Sequence, residues 1–212
     1  EKRLYNQRAQ VVKNAEGKIA AVKNILDGLP VLEKLVIYCS NESQLEQIGW
    51  LLREKGAAYS RFSGNESSRP DSDLGGLSER EYILDSFTQG RVDALLAMRC
   101  LDEGGNIPTA ETGILVASSG NPKEFIQRRG RLLRQSPSTG KIQAVIYDLI
   151  PRPPLVTEKI SADYAGILRR EINRVKEFAQ TSINASMVSL VLDKIMEQAG
   201  LFDHEGDDGR ES

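Results

Sequence analysis

The sequence predicts an α/β fold with a mostly parallel central sheet between helices, followed by a helical extension. Short continuous apolar runs, typical of strands buried on both faces, alternate over residues 31–150 with segments whose apolar residues recur at helical spacing. Such alternation predicts βαβ units and a parallel sheet. Three prolines at 151–154 end this pattern, and residues 155–200 carry helical periodicity alone.

Each element follows from a local pattern. Apolar spacing over 8–28 predicts a helix that stops at Gly28-Leu29-Pro30. The apolar run 35–39 predicts the first strand, and N-cap residue types then begin a helix that ends at Gly56. Ser78 with Glu81 predicts a capping box after a surface loop over 63–77. We also predict strands at 58–62, 94–98, 113–117 and 142–150, a helix over 122–134, and two helices within 155–200.

Four regions are expected along the chain. Residues 1–30 form a helix that leads into the α/β lobe of residues 31–150. Residues 151–202 form the helical extension, and the acidic tail 203–212 is expected to be disordered. The two extension helices suit a partner-docking element, a brace for a neighbouring lobe, or completion of the core, and we favour the brace. The start lacks Met and an apolar signal segment, so we expect an excised piece of a longer protein.

Composition excludes several classes of site. Hydrophobic residues make up 40% and charged residues 27%, as in soluble globular proteins, and no apolar run can cross a bilayer. We therefore expect no membrane partner and a cytoplasmic or nucleoid-associated location. The single histidine, His204, excludes a Ser-His-Asp triad, a Cys-His pair and histidine-ligated metals. Cys39 and Cys100 have no zinc spacing and suit reduced cysteines near a core, while carboxylate-only magnesium chemistry stays open.

Charge is unevenly distributed. The net charge is −2, but residues 203–212 hold five acidic residues and one arginine. The rest of the chain therefore carries a small basic excess, which is compatible with a nucleic-acid groove.

Small polar residues follow four of the predicted strands, where an open parallel sheet gathers its ligands. At helix starts, such residues present backbone N–H groups to phosphate oxygens. Ordinary helix capping is the alternative at each of them. The segments concerned are Ser40-Asn41, Ser63-Gly64-Asn65, the run from Arg99 to Pro108, and Ser118 to Pro122.

The strongest local signal is the arginine-rich segment 127–134. Arg131 and Arg134 are spaced i,i+3 and share one helix face, where two guanidiniums repel one another unless an anion lies between them. Each guanidinium is a planar fork that matches phosphate oxygens. A solvated basic face with structural ion pairs is the alternative.

Gln127-x-x-Gly130-Arg131-x-x-Arg134 resembles motif VI of the superfamily 2 helicases. This resemblance implies the second RecA-like domain of that superfamily, a three-layer sandwich whose Arg131 and Arg134 are arginine fingers for ATP held by an N-terminal lobe. Gln127 is then expected to help position that helix end near the nucleotide or the opposite lobe. The phrases 100–104 and 121–131 look most like the DNA-translocating branch, which includes XPB-like and restriction-associated DEAD/DEAH-type helicases.

The resemblance extends over 35–150 in motif order. Residues 97–108 resemble motif V, where Gly104 matches the glycine and Asn106 stands where an aspartate often contacts the ribose. Met98 replaces a threonine that many members use on the nucleic-acid backbone, so that contact would come from backbone N–H groups or Arg99. The segments ending in Ser40-Asn41 and Ser63-Gly64 are similar to motif IV and the small motif after it, both expected on the nucleic-acid backbone.

No G-x-x-x-x-G-K-[ST] loop occurs, and Asp102-Glu103 lies in the motif V region. We therefore expect ATP and Mg²⁺ to bind mainly to the N-terminal lobe of the same polypeptide, and this chain alone to be inactive. DNA is the expected track, with RNA as the alternative. Two other hypotheses remain: a catalytically inactive nucleic-acid-binding or regulatory module, and an unrelated dinucleotide or nucleotide-sugar enzyme, which the absence of G-x-G-x-x-G after the first strand disfavours.

Overall fold

Five parallel strands form one sheet in the computed structural model of the chain, which describes residues 17–98, 109–116, 140–150 and 162–201. The strand order is β2-β3-β1-β4-β5, and each neighbouring pair is parallel. This confirms the predicted α/β class and parallel sheet. The strands are β1 (Leu35–Cys39), β2 (Tyr59–Phe62), β3 (Ala94–Met98), β4 (Thr112–Leu115) and β5 (Val145–Asp148).

The central strand β1 is buried along its whole length. Leu35, Ile37 and Cys39 join a core cluster, while the intervening Val36 and Tyr38 are also no more than 1% exposed. Successive strand residues point to opposite faces, so both faces of β1 are covered. This explains why the sequence shows a continuous apolar run here in place of alternation.

Helices connect or precede the strands of this unit. The helix before β1 is described over Gly17–Gly28 and is called α1; residues 8–16 of the predicted helix lie outside the described part. α2 (Glu42–Glu54) follows β1, and α3 (Glu79–Thr88) follows a loop that contains a short 3₁₀ helix at Ser72–Leu74. The core cluster under α1 and α2 contains Val22, Leu26, Leu45, Ile48 and Leu52.

The predicted helix boundaries have clear local causes. Ser78 and Glu81 form the predicted capping box, with both reciprocal hydrogen bonds present. α2 ends as predicted near Gly56, which has a φ of 71° and donates its N–H to the carbonyl of Arg53. The predicted helix at 122–134 lies outside the described residues.

Three strands are shorter than, or displaced from, the predicted ranges. We predicted 58–62, 113–117 and 142–150, but the strands are Tyr59–Phe62, Thr112–Leu115 and Val145–Asp148. The N–H of Ala58 donates to the Asp93 carboxylate at 2.7 Å, and only the carbonyl of Ala58 bonds to the backbone of the neighbouring strand, at Asp93 and Ala94. At the sheet edge Ile142 is 79% exposed, which shows that its apolar character does not mark a buried strand there.

The chain divides into two compact units, residues 1–149 and residues 150–212. In the second unit, the predicted pair of helices is observed as α4 (Ala162–Ala179) and α5 (Ala185–Gln198). Lys176 of α4 and Asp193 of α5 form an ion pair at 2.6 Å. The core of this unit is built around Leu168, Ile172, Val175, Leu192 and Leu201. None of the helices in the described ranges is long and apolar enough to cross a membrane.

Candidate functional site

The carboxyl edge of the sheet collects the segments that follow β1, β2 and β3. The register pairs Cys39 with Met98 and Phe62 with Ala97. Since β3 lies between β1 and β2, the residues after those two strands flank its end. The structure thus brings together five residues predicted to contact nucleic acid, namely Ser40, Asn41, Ser63, Gly64 and Met98.

Ser40 and Asn41 begin α2 through a reciprocal cap. The side-chain oxygen of Asn41 accepts the N–H of Gln44 at 2.9 Å, and the side-chain oxygen of Gln44 accepts the N–H of Ser40 at 2.8 Å. The Asn41 amide also donates to Ser40 Oγ at 3.1 Å. In this structure Asn41 therefore acts as the N-cap of α2, the alternative role given for it above. Both residues remain partly exposed, so an approaching ligand can reach them.

The segment after β2 wraps around a carboxylate. Glu66 Oε1 accepts the N–H of Ser63 at 2.6 Å and its hydroxyl at 2.9 Å, and Glu66 Oε2 accepts the N–H of Gly64 at 2.7 Å. Burial works against ionisation of Glu66, but these hydrogen bonds outweigh it and lower the pKa of that carboxyl. Gly64 has a φ of 95°, a left-handed conformation that favours glycine. We call the three donor groups of Ser63 and Gly64 the β2 anion site.

Met98 ends β3 with its side chain against the hydrophobic core and only partly exposed. A thioether offers no strong donor to a phosphate oxygen. The sequence prediction that a nucleic-acid contact here comes from backbone N–H groups or from Arg99 stays a prediction.

Two basic residues reach this edge without having been singled out from the sequence. Lys18 of α1 is 4% exposed and donates to the carbonyl of Val116, just past β4, at 2.6 Å. The guanidinium of Arg80, in the first turn of α3, lies 4.9 Å from the centre of the Phe62 ring at the end of β2. Lys18 stands one helical turn before the buried Val22, a spacing that places it on the core-facing side of α1.

The remaining predicted site residues are those of the ATP site, together with Arg99 of the nucleic-acid set. Within the described ranges, no group of three histidine, cysteine or acidic side chains is arranged to hold a metal ion. The predicted positions Arg99, Gly104, Asn106, Gln127, Arg131 and Arg134 all lie outside the described residues.

Comparison with known proteins relates the chain to helicases. A sequence model described as the helicase conserved C-terminal domain matches residues 17–136. The DNA 3'-5' helicase XPB of Mycobacterium tuberculosis is 28% identical over 165 residues, which are 77% of this chain and 26% of that protein. The DNA 3'-5' translocase XPB2 of Sulfurisphaera tokodaii is 25% identical over 131 residues, which are 62% of this chain and 26% of that protein. The chain thus spans about a quarter of the length of these relatives.

Solved structures share the fold. The C-terminal domain of the DEAD-box protein Dbp5 matches with a TM-score of 0.55 at 17% identity, over 86% of this chain and 93% of that one. The C-terminal part of the Fun30 ATPase domain matches with a TM-score of 0.52 at 17% identity, over 88% of this chain and 56% of that one. At such identities the likeness concerns the fold, and it confirms the predicted RecA-like architecture.

Proposed function

Because the chain belongs to the helicase conserved C-terminal domain family, we propose that it is the second RecA-like lobe of an ATP-dependent superfamily 2 helicase or translocase. The observation that carries the proposal is the extent of the family match, which runs to residue 136 and so includes the segment 127–134. In the full-length protein this lobe completes an ATP site whose other half lies on an N-terminal lobe. The full-length protein is an ATP hydrolase, and this chain alone is inactive.

Arg131 and Arg134 act as arginine fingers. Their planar guanidiniums bind the γ-phosphoryl oxygens of ATP and stabilise the charge that develops on them during hydrolysis. Gln127 fixes this segment against the nucleotide, and Gly104 and Asn106 line the ribose side. Mg²⁺, held mainly by the N-terminal lobe, neutralises charge on the β- and γ-phosphates when bound.

The carboxyl edge holds the nucleic-acid backbone. Ser40, Asn41, Ser63 and Gly64 supply hydroxyl, amide and backbone N–H donors there, and backbone groups of Met98 with Arg99 extend the row. Contacts of this kind fix the position of a strand without reading its sequence. DNA is the favoured track because two relatives are named as a DNA helicase and a DNA translocase; RNA is the alternative.

The two halves are coupled by closure of the lobes. ATP draws this lobe against the N-terminal lobe, and the arginine fingers then reach the γ-phosphate. Hydrolysis and release allow the lobes to separate while the carboxyl edge keeps or shifts its hold on one strand. Repeated closure moves the lobe along that strand.

Alanine substitution of the two fingers in the full-length protein tests the proposal. Arg131→Ala or Arg134→Ala is expected to lower nucleic-acid-stimulated ATPase turnover by roughly 10³- to 10⁵-fold, the contribution typical of an arginine finger. Arg129→Ala, at a variable position of the same motif, is the matched control and should retain most activity. Binding of a fluorescent ATP analogue should survive in all three variants, because the N-terminal lobe holds most of the nucleotide. Normal turnover in both finger variants would remove the assignment.

A catalytically inactive nucleic-acid-binding or regulatory module is the second candidate. It is favoured by Met98, whose side chain packs against the core where many members present a threonine, and by Asn106 in place of an aspartate. ATPase measurement on the full-length protein with DNA and with RNA separates the two. No turnover, together with no phosphate-cradling glycine-lysine loop upstream, would favour the module.

A further inference from the structure

We propose that the β2 anion site is a phosphate site for the nucleic-acid backbone, and that Glu66 is an internal anion which occupies it until nucleic acid displaces it. This rests on the proposed function, because it assigns a regulatory residue to the nucleic-acid track. Neither the family match nor the relatives' names assign a role to Glu66.

The geometry is that of an anion-binding concavity. Two successive backbone N–H groups and one hydroxyl converge on the carboxylate, and both carboxylate oxygens are engaged at 2.6 to 2.9 Å. Successive N–H groups turned to one side by a left-handed glycine form the kind of nest that binds phosphate. The same donors fit a phosphodiester, which also presents oxygens with shared negative charge.

A second serine-glutamate pair in the chain shows what an ordinary cap looks like. Glu81 reaches back to Ser78 with one oxygen, and the helix α3 follows directly. Ser78 is 3% exposed and closed to ligands. At Glu66, by contrast, both oxygens are engaged, no helix follows, and Gly64 is exposed.

The position of the β2 anion site suits a backbone phosphate. It directly follows β2 at the carboxyl edge, beside the end of β3 and near the Arg80 guanidinium that lies over Phe62. Glu66 is partly exposed and lies between β2 and α3, where the next residue, Ser67, is hydrogen-bonded to the start of α3 through both its N–H and its carbonyl. Displacement therefore needs only rotation of the Glu66 side chain, while the donors of Ser63 and Gly64 stay in place at the strand end.

The first experiment tests the anion site without nucleic acid. In the 212-residue chain carrying Glu66→Ala, millimolar inorganic phosphate is expected to shift the ¹⁵N and ¹H resonances of the Ser63 and Gly64 amides in a saturable manner. The unsubstituted chain should show much smaller shifts, because Glu66 competes. Absence of these shifts in the Glu66→Ala chain overturns the inference, whatever nucleic acid does.

The second experiment measures nucleic-acid affinity of the same chain by fluorescence anisotropy at fixed salt. Glu66→Ala is expected to bind single-stranded DNA roughly tenfold more tightly, because Glu66 no longer competes with a backbone phosphate for the site. A tenfold change is about the contribution of one charge-assisted hydrogen bond. Asp73→Asn removes one negative charge from the same exposed loop and is the control for general charge. Equal tightening in the two variants overturns the inference.

A double-mutant cycle with Ser63→Ala locates the effect. In the Glu66→Ala background the hydroxyl contacts the phosphate, so its loss should weaken DNA binding severalfold. In the unsubstituted background the hydroxyl bonds Glu66 in the free chain and the phosphate in the complex. Its loss weakens both states similarly, so DNA affinity should hardly change. Additive effects would place Glu66 elsewhere on the binding path and overturn the inference. Normal ATPase in the finger variants would instead overturn the proposed function, leaving the phosphate titration to decide on the anion site.

Discussion

The ammonium group of Lys18 donates to the carbonyl oxygen of Val116 at 2.6 Å, with the lysine only 4% exposed. This contact joins the first described helix to the end of β4, where residue 117 begins the segment leading towards the predicted arginine fingers. The N–H of Val116 in turn donates to the carbonyl of Tyr38 in β1. Both backbone polar groups of Val116 are thus hydrogen-bonded, its carbonyl to Lys18 and its N–H to Tyr38.

Lys18→Met is expected to destabilise the chain by about 1–3 kcal/mol, because it leaves a buried carbonyl without its charged donor. Urea denaturation followed by circular dichroism measures the change. Lys23→Met is the matched control: its ion pair with Asp27 is on the surface, with the lysine side chain 53% exposed, so its loss should change the free energy of unfolding little. Equal effects in the two variants would show that the Val116 contact does not stabilise the fold.

Asn41 offers a way to separate capping from nucleic-acid contact. Asn41→Asp keeps the side-chain oxygen that caps α2 and should leave stability within about 0.5 kcal/mol, whereas Asn41→Ala should cost about 1 kcal/mol. If the carboxyl edge holds phosphates, the added negative charge of Asn41→Asp should weaken DNA binding. Denaturation and anisotropy on the same samples check both. A stable Asn41→Asp chain with unchanged DNA affinity would remove Asn41 from the proposed track.

Cys39 should be unreactive in the folded chain. It is 3% exposed in the central strand, and burial, aided by the charge of Glu42, raises the pKa of its thiol to about 12. At pH 8 almost none of it is thiolate. Iodoacetamide labelling followed by peptide mass spectrometry should therefore leave Cys39 unmodified in buffer and modify it in denaturant. Rapid native labelling at Cys39 would contradict its burial in β1.

Lys34 has a left-handed backbone conformation, and its side chain caps the end of α3. Its φ is 55°, and its ammonium donates to the carbonyls of Phe87 and Thr88 at the end of α3. Alanine and glycine both lose those bonds, but only glycine relieves the backbone. Lys34→Ala should therefore destabilise the chain by about 1 kcal/mol more than Lys34→Gly. Thermal unfolding of the two variants gives the order, and the reverse order would argue against a left-handed Lys34.

The Glu66 contacts predict a pH dependence with a definite sign. The pKa of this carboxyl is lowered by folding, so its contribution to stability is complete above its ordinary value near 4.5 and disappears as the pH falls through the lower folded value. The stability difference between the unsubstituted chain and Glu66→Gln should therefore be constant at neutral pH and shrink in acid. A difference that stays constant down to acid pH would show that the carboxylate charge does not contribute to these hydrogen bonds.

Patterns that depend on near neighbours in the sequence predicted structure well. The apolar run of β1 reflects burial on both faces, and the Ser78–Glu81 spacing is itself the reciprocal hydrogen bond that starts α3. The limits of β5 were predicted less well, because apolar residues at a sheet edge can remain exposed, as Ile142 does.

Contacts between distant segments left no readable pattern. The bond from Lys18 to Val116 joins residues 98 positions apart, and only the fold brings them together. The Ser63–Glu66 pair has the spacing of a capping box. The second carboxylate oxygen of Glu66 is bonded as well, because the left-handed Gly64 turns its N–H towards it. The roles of Arg131 and Arg134 rest on motif spacing, which identifies side chains but not the partner that approaches them.

The strand order also bears on how the chain folds as it is synthesised. β1 leaves the ribosome before both of its ladder partners, which come roughly sixty and almost eighty residues later, since Leu35 pairs with Ala94 and with Thr112. Until both arrive, the nascent chain carries an incompletely paired five-residue apolar strand, and sheets built from such distant pairings assemble slowly. A stalled or truncated chain ending before β4 would thus leave one edge of β1 without its partner strand, open to aggregation and to chaperones.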